Sequence, residues 1–478
     1  MSDNMSLDPD NWDELRAQGH RMLDDMIDHL AQVRERPVWQ PIPREVRDRF
    51  HAPLPHAPEP LQDIYAEFRR SVAPYSTGNI HPGFMGWVHG GGNAAGMLAE
   101  MLSAGLNANL GGRDHMPIVV ERQILEWVRE LFNFPKGASG LFVTGTSMAN
   151  FIALLVARTR ALGEDARRKG LADSGGKLRA YTSRAAHGCV AKAMDMAGFG
   201  TDALRLIATD KLDRIDVEAL RAAIRDDRDA GLTPFMVVGT AGSVEAGAVD
   251  DLNVLADICR QQSLNFHVDG AFGALAMMSP ELAPRLSGIE RADSIAFDFH
   301  KWAQVPYDAG FVLVRDGALH LRTFDSPATY LRRDVRGLAA GSPWPCDFGP
   351  DLSRGFRALK TWFTLKTYGT DRLGAVMANT CAIARHLERR VRSEPLLELV
   401  RPAQLNIVCF RFRGDDALNA ELVATLQESG IAAPSATSID GRVTIRAAIF
   451  NHRSVEADVD VMVDAVIETA RTIAKRKR

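Results

Sequence analysis

Six short apolar runs alternate with stretches of helical periodicity between about residues 95 and 320. The runs are GLFVTG, LRAYTS, FMVVGT, NFHVDG, SIAFDF and GFVLVR. Strands that lack polar alternation are covered on both faces, and strands that are separated by helices pair in parallel. The pattern therefore predicts an α/β fold, in which a mostly parallel sheet carries helices on both of its faces.

The sequence on either side of this region predicts two further units. Residues 11–34 have the periodicity of an amphipathic helix, within a helical N-terminal arm at 1–80. The apolar stripe of this arm would be exposed in a single chain, so we expect it to pack on a partner subunit. The large α/β domain is predicted at 81–368. The runs LNIVCFRF and GRVTIRAAI, which lie between helical stretches, predict a small C-terminal α+β domain at 369–478.

The composition argues against several classes of partner. The chain has 478 residues and a net charge of −3, which does not favour nucleic acid or an anionic membrane. No apolar run approaches the roughly 20 residues of a membrane span, and the acidic N-terminal segment does not resemble a signal peptide. The five cysteines are widely spaced and form no CxxC pair, so we expect reduced thiols, no metal site and a cytoplasmic protein.

Chemically useful side chains follow five of the predicted strands. Ligands of open parallel sheets bind in the crevice beyond the carboxyl ends of the strands, so the residues directly after each strand are the candidates. The turns TGTS, AAHG, GTAGS, VDGA and FHKW carry Thr146 with Ser147, His187, Thr240, Asp269 and Lys301. We expect these side chains to converge at one edge of the sheet.

Each turn also has an ordinary structural explanation when it is taken alone. A threonine or serine after a strand usually caps the next helix, and a single histidine at such a junction is usually structural. A lysine on the floor of an α/β core, however, is costly if it stays charged and unpaired. Together the turns supply a phosphate cradle, an aromatic ring, a buried carboxylate and an amine, which is what pyridoxal 5′-phosphate requires. A covalent bond from Lys301 to the aldehyde of that coenzyme would remove the buried charge.

The motifs as a set resemble one known family. HPGFMGW, TGTSMANFIALLVAR, AAHGCVAKA, GTAGSVEAGAVDDL, HVDGAFG, DFHKW and FRALKTWFTLKTYG follow in the order of the group II pyridoxal-dependent amino-acid decarboxylases, from about residue 15 to 470. The resemblance implies the aspartate-aminotransferase fold (fold type I), with a mostly parallel seven-stranded sheet in the large domain. It also implies pyridoxal 5′-phosphate as cofactor, and a homodimer with its active site at the subunit interface.

The resemblance implies four catalytic residues. Lys301 binds the coenzyme covalently, Asp269 pairs with its pyridine nitrogen, and His187 stacks on its ring. The segment DSPATYLRRDVRG at 325–337 is similar to the family's mobile catalytic loop, in which Tyr330 matches a tyrosine that helps to protonate the substrate carbon.

The resemblance also implies how the rest of the coenzyme is held. Thr146 and Ser147 bind the phosphate, with His300 nearby. Thr240 lies close to the coenzyme, at its phenolic oxygen or at the substrate carboxylate.

Three residues are candidates for substrate binding, and they do not decide between an aromatic and an acidic amino acid as the substrate. The segment LNANLGGRDHMPIVVE presents Asn109 and Arg113, where aromatic-specific members of the family offer apolar contacts. Arg113 could pair with a side-chain carboxylate of the substrate, or with Asp114 near the dimer seam. Ser353 stands where many aromatic decarboxylases have a small residue, which keeps an aromatic or imidazole substrate plausible. Asp298 replaces an asparagine that is common in the family, and the sequence gives no account of its effect.

The predicted activity is decarboxylation of an L-amino acid to its amine and carbon dioxide. An aromatic substrate is the first hypothesis, and glutamate or aspartate is the second. An aldehyde synthase or carbon–carbon lyase on the same scaffold is a further alternative, as is a protein that binds the coenzyme without catalysis. Family members that have become aldehyde synthases commonly lack the tyrosine or the histidine, whereas both Tyr330 and His187 are present here.

Overall fold

The computed structural model describes residues 6–171, 175–325 and 333–476. Tyr330 lies outside the described residues, so its predicted role stays a prediction. The described residues form twelve strands: β1 (Phe84–Met85), β2 (Ser139–Val143), β3 (Leu178–Ser183), β4 (Leu204–Ile207), β5 (Thr233–Thr240), β6 (Asn265–Asp269), β7 (Ser294–Asp298), β8 (Gly310–Val314), β9 (Leu397–Gln404), β10 (Ile407–Phe412), β11 (Ala433–Ile439) and β12 (Arg442–Ala448).

The same described part of the chain forms fourteen α-helices. They are α1 (Trp12–Ala31), α2 (Arg44–Arg49), α3 (Leu61–Ser71), α4 (Ala94–Leu106), α5 (Met116–Leu131), α6 (Thr146–Leu162), α7 (Asp165–Lys169), α8 (Cys189–Met196), α9 (Val217–Asp229), α10 (Leu252–Gln262), α11 (Gly317–Phe324), α12 (Arg357–Ser393), α13 (Asp416–Glu428) and α14 (Glu456–Arg476).

Seven strands form the sheet of the large domain, in the spatial order β2-β8-β7-β6-β5-β3-β4. β8 runs antiparallel to β2 and β7, and the other neighbouring strands in this sheet are parallel. Strands β6, β7 and β8 are buried along their whole length, because helices such as α6 and α10 pack against the sheet. The prediction of a mostly parallel seven-stranded sheet is confirmed.

The register of the central strands positions the site. Thr240, at the end of β5, lies beside Asp269, at the end of β6. Asp269 in turn lies beside Ala296 in β7, which ends at Asp298 and leads directly to Lys301. Three of the predicted turns therefore leave the sheet side by side.

A second, five-stranded sheet has the order β1-β11-β12-β10-β9. It forms the predicted small α+β domain, with one departure from the expected limits: Phe84 and Met85 lie in the range predicted for the large domain but pair in parallel with Ala433 and Pro434. Helix α12 crosses the predicted boundary and is interrupted by non-helical backbone at Gly369 (φ 69°, ψ 159°). The division of the chain at residues 80 and 368 stays a prediction.

The N-terminal arm contains the predicted helix, which the structure places at Trp12–Ala31 as α1. Some of its apolar side chains are exposed in a single chain, and so are some of those of helices α3, α4 and the start of α5. The large apolar side chains that are exposed on these helices are Trp12, Leu15, Ile27, Leu61, Ile64, Phe68, Leu98, Met101, Leu102, Leu106, Met116 and Val119. Among the described residues, no helix has the length and apolar character to cross a membrane.

A buried histidine in the large domain gives a pH-dependent contribution to stability. His320 in α11 is fully buried, and its Nδ1 lies 2.8 Å from Ser139 Oγ. Burial lowers the pKa of His320 from 6.5 to about 4. The folded protein therefore keeps this ring neutral where the unfolded chain takes up a proton, and stability falls as pH falls from about 6.5 to about 4.

His320→Gln is expected to remove this contribution. The free energy of unfolding of the variant should depend less steeply on pH between about 6.5 and 4, by about 1.4 kcal/mol per pH unit, because one titrating group is lost. Urea unfolding of both proteins at several pH values measures the difference. Parallel profiles would contradict a neutral buried imidazole at this position.

Candidate active site

A cavity of about 380 Å³ opens at the carboxyl ends of the central strands. All five predicted turns reach it. The predicted residues that line it are Thr146, Ser147, His187, Thr240, Asp269, His300 and Lys301. The structure therefore brings these side chains together at one edge of the sheet, as expected. The chemical roles of the side chains are proposals.

Lys301 projects into this cavity and has a counter-ion that the sequence did not explain. Its Nζ lies 2.8 Å from Asp298 Oδ2, at the end of β7. The lysine side chain is 19% exposed and the aspartate side chain 2%. The amine is therefore accessible from the cavity, and the Asp298 carboxylate is a counter-ion that offsets the cost of burying its charge.

Asp269 is the acid on the floor of the cavity. Its Oδ2 accepts a hydrogen bond from Asn150 Nδ2 at 3.0 Å, and its Oδ1 accepts one from the Ala271 backbone N–H at 3.2 Å. Burial raises the pKa of Asp269, while the Asn150 amide and the positive charge of Lys301 oppose that rise. Such a carboxylate gains from a cationic ligand, and a protonated ring nitrogen would be one.

The first turn of α6 supplies the expected anion cradle. Gly145, Thr146 and Ser147 line the cavity where this helix begins, so the positive end of the helix dipole points into it. A Cβ at Gly145 would lie 3.7 Å from His300 Cε1 and 3.8 Å from Asp298 Oδ1. The cradle is therefore bounded on its far side by the turn that carries Lys301.

His300 and His187 have different environments. His300 Nδ1 accepts the Ala309 backbone N–H at 2.9 Å, and burial lowers the pKa of this ring to about 4. Its neutral ring packs against Tyr307, with the centroids 4.3 Å apart. His187 is exposed at the cavity edge, where its Nδ1 accepts the Cys189 backbone N–H at 3.2 Å. That bond holds the His187 ring at the mouth, where it could cover a planar ligand.

Unsatisfied polar atoms indicate that the cavity is built for a polar ligand. Thr146 Oγ1, Thr240 Oγ1 and Asp298 Oδ1 are buried and have no hydrogen-bond partner among the described residues. Buried polar atoms are normally satisfied, so these three call for donors and acceptors from a bound molecule. A phosphate would accept a hydrogen bond from the Thr146 hydroxyl, a planar ring would fit beneath His187, and an aldehyde would meet the amine of Lys301. The residues therefore fit pyridoxal 5′-phosphate.

One wall of the cavity was not predicted. Trp87, His89 and Tyr307 line it, and their rings contact one another: the centroids of Trp87 and His89 are 6.1 Å apart, and those of His89 and Tyr307 are 6.0 Å apart. We call these three residues the aromatic wall. The motif HPGFMGW ends at Trp87, so the sequence contained a signal for part of the wall but not for its position.

The predicted substrate-binding residues are not among those that line this cavity in a single chain. Asn109 Oδ1 accepts the backbone N–H groups of Gly111 at 2.9 Å and Arg354 at 3.0 Å, and so joins the segment that contains Ser353 to its own loop. The guanidinium of Arg113 lies over the ring of Trp344, with Cζ 4.7 Å from the centroid. A role for Asn109, Arg113 and Ser353 in substrate binding stays a prediction.

The fold and the residues that line this cavity fit an enzyme that uses pyridoxal 5′-phosphate. Comparison with known proteins gives the family: the pyridoxal-dependent decarboxylase conserved domain matches residues 43–413. The chain belongs to this family of decarboxylases, and its fold is fold type I of the pyridoxal-phosphate enzymes. It is a carboxy-lyase that removes the carboxylate of an amino acid.

Individual relatives cover nearly the whole chain. An aromatic-L-amino-acid decarboxylase of Bacillus atrophaeus is 33% identical over 470 residues, which are 95% of this chain and 94% of that protein. An L-2,4-diaminobutyrate decarboxylase of Rhizobium meliloti is 33% identical over 429 residues, 88% of this chain and 84% of that protein. The crystal structure of Oryza sativa TDC with PLP and tryptamine has a TM-score of 0.89 and 26% identity, and covers 98% of this chain and 100% of its own.

Proposed function

We propose that this enzyme decarboxylates an aromatic L-amino acid to the corresponding amine, as a cytoplasmic homodimer. The observation that carries the proposal is the aromatic wall, because it lines the same cavity as Lys301. Aromatic rings favour edge-to-face or offset contacts with other aromatic rings, and such contacts discriminate against small polar side chains. The Bacillus atrophaeus relative is named an aromatic-L-amino-acid decarboxylase, and the rice structure contains tryptamine, so both support the same class of substrate.

Each residue of the site then has a defined task. When bound, pyridoxal phosphate supplies an electron sink for the bond that breaks. Lys301 would hold the coenzyme through its amine, which opens into the cavity beside Asp298. Asp269 keeps the ring nitrogen protonated, and His187 covers the ring face. Thr146 holds the phosphate at the start of α6, which fixes the ring relative to Lys301.

Two features support the dimer and the compartment. Large apolar side chains are exposed on α1, α3, α4 and the start of α5, and a second copy of the chain would cover them. These side chains include those of the N-terminal arm, for which the sequence predicts contact with a partner subunit. The five cysteines are unpaired thiols, which supports a reducing compartment such as the cytoplasm.

Incubation of the purified enzyme and coenzyme with each of the twenty amino acids tests the proposal. Carbon dioxide, amine, aldehyde and hydrogen peroxide should be measured in parallel. We expect equal amounts of carbon dioxide and amine from tryptophan, tyrosine or phenylalanine. Exclusive turnover of glutamate or aspartate would refute the aromatic assignment. Aldehyde with hydrogen peroxide in place of the amine would instead identify an aldehyde synthase, with dioxygen as the oxidant.

Trp87→Ala is expected to raise the KM for aromatic amino acids roughly tenfold, with a smaller change in kcat, because a ring contact to the substrate side chain is lost. Trp362→Ala is the matched control, since this tryptophan donates its indole N–H to Gln123 at 2.7 Å and does not line the cavity. Steady-state kinetics of both variants give the comparison. An unchanged KM in Trp87→Ala would remove Trp87 from the substrate contact.

A further inference from the structure

A chain of hydrogen bonds runs from Asp269 into the core behind the cavity. Asp269 Oδ2 lies 3.0 Å from Asn150 Nδ2 in α6, and Asn150 Oδ1 lies 2.7 Å from His267 Nε2 in β6. His267 Nδ1 lies 2.8 Å from Ser294 Oγ in β7. All four side chains are at most 4% exposed. Neither His267 nor Ser294 lines the cavity, and the sequence did not single out Asn150, His267 or Ser294.

The direction of every bond in this chain follows from Asp269. A carboxylate only accepts, so the Asn150 amide must present its nitrogen to Asp269 and its oxygen to His267. His267 Nε2 must then carry the proton. Burial lowers the pKa of His267 to about 3, so the ring is neutral and its Nδ1 is an acceptor for the Ser294 hydroxyl. Ser294, His267 and Asn150 therefore all donate in the direction of the carboxylate.

We propose that His267 and Asn150 are positioning residues, which keep Asp269 ionised and aimed at the ring nitrogen of the coenzyme. The inference rests on the proposed role of Asp269. If the Nε2–H of His267 is removed, Asn150 loses the donor that holds its oxygen away from Asp269. The amide can then rotate by a half turn and place its oxygen against the carboxylate. Because burial already raises the pKa of Asp269, the loss of this donor favours the neutral acid.

The Cys189 thiol is part of the same environment. Its Sγ lies 3.1 Å from Asn150 Nδ2 and 3.8 Å from Asp269 Oδ2. Burial raises the pKa of this thiol to about 12, so it stays protonated and adds no negative charge beside the carboxylate. The Asn150 amide is consequently the group whose orientation decides whether Asp269 faces a donor or an acceptor on this side.

His267→Leu tests the proposal in the full-length enzyme, loaded with coenzyme that carries ¹⁵N in the pyridine ring. In the wild type we expect the ¹⁵N signal of a protonated ring nitrogen. In His267→Leu we expect the signal to move towards the unprotonated form, and the coenzyme Kd to rise about 10- to 100-fold, as for other residues that orient a ligand-binding group. His267→Gln keeps an amide N–H for Asn150 and should restore most of both values.

His320→Leu is the matched control. This histidine is equally buried and has the same 2.8 Å contact with a serine hydroxyl, but it does not line the cavity or contact Asp269. It should lose stability and leave the ¹⁵N signal and the Kd unchanged. A wild-type signal in His267→Leu would overturn the proposal, and so would an identical change in His320→Leu.

If His267→Leu does not fold, Ser294→Ala provides the second test. This variant removes the donor that holds the His267 proton on Nε2, and it should move the ¹⁵N signal in the same direction by a smaller amount. An unchanged ¹⁵N signal in a folded Ser294→Ala would overturn the proposal, and so would a His267→Gln variant whose signal moves as far towards the unprotonated form as expected for His267→Leu. The proposed function fails separately, namely if wild-type protein does not bind the coenzyme through Lys301.

Discussion

Lys301→Ala is expected to abolish turnover and to remove the visible absorbance of the bound coenzyme. In the proposed arrangement the amine of Lys301 is the nucleophile of the cavity, and its position beside the proposed phosphate cradle would replace an encounter in solution with a fixed contact. Effective molarities of well-oriented groups are very large, so we expect kcat to fall ~10⁵-fold or more. Absorption spectra and carbon dioxide release after addition of pyridoxal phosphate provide the measurement.

Lys366→Ala is the control for this variant. Lys366 is exposed on α12, with its Nζ 4.5 Å from the Trp362 ring centroid, and it does not line the cavity. The control should retain both the absorbance and the activity. Steady-state decarboxylation by Lys301→Ala at a rate near that of the wild type would refute the assignment of the lysine, and with it the proposed arrangement of the site.

Asp269→Asn is expected to have the second-largest effect. The substitution keeps the shape of the side chain but removes the charge that stabilises a protonated ring nitrogen. Loss of one preorganised electrostatic partner of the reacting group costs ~10²–10³-fold in kcat. We therefore expect the variant to bind pyridoxal phosphate through Lys301 and to decarboxylate slowly. Single-turnover kinetics separate this slow chemical step from weaker coenzyme binding.

Asp227→Asn is the control for Asp269→Asn, because it neutralises a buried carboxylate in another part of the molecule. Asp227 is buried in α9, where it accepts the Tyr181 hydroxyl at 2.7 Å and pairs with Arg205 at 2.8 Å. The control should lose stability because Arg205 loses its charged partner, while the folded fraction keeps its kcat. An Asp269→Asn enzyme with wild-type kcat would show that the ring nitrogen does not depend on this carboxylate.

The sequence predicts most of the large sheet because most of its strands are continuous apolar runs. β4 is the exception: its central residues, Arg205 and Leu206, are exposed at the sheet edge, so LRLI has no uninterrupted apolar signal. In the small sheet, β9 was likewise not predicted. Its residues are mostly half-buried, and its polar and apolar side chains do not alternate regularly. Strands that are covered on one side only leave a weaker trace in the sequence.

The sequence predicted the site residues that directly follow the ends of strands. It did not predict the site residues that depend on contacts between segments far apart in the chain. Thr240 and Asp269 follow from the register of parallel strands. The ion pair of Lys301 with Asp298 depends on the turn after β7, which no periodicity describes. Trp87 reaches the cavity because β1 pairs with β11, some 350 residues later in the chain. Such a contact has no local signature.

Because β1 pairs with β11, the small sheet positions Trp87, whereas the large sheet positions Lys301 and Asp269. The backbone of Trp87 is held from the C-terminal side, by Arg446 Nη1 on its carbonyl oxygen at 3.0 Å and by Ser435 Oγ on its N–H at 3.4 Å. The residues proposed to hold the coenzyme, in contrast, follow the ends of the large-sheet strands. Under the proposed role of Trp87, substitutions in β11 and β12 would change which amino acid is accepted without touching the residues proposed to hold the coenzyme. Ser435 and Arg446 are then the positions at which a change of substrate preference would begin outside the cavity itself.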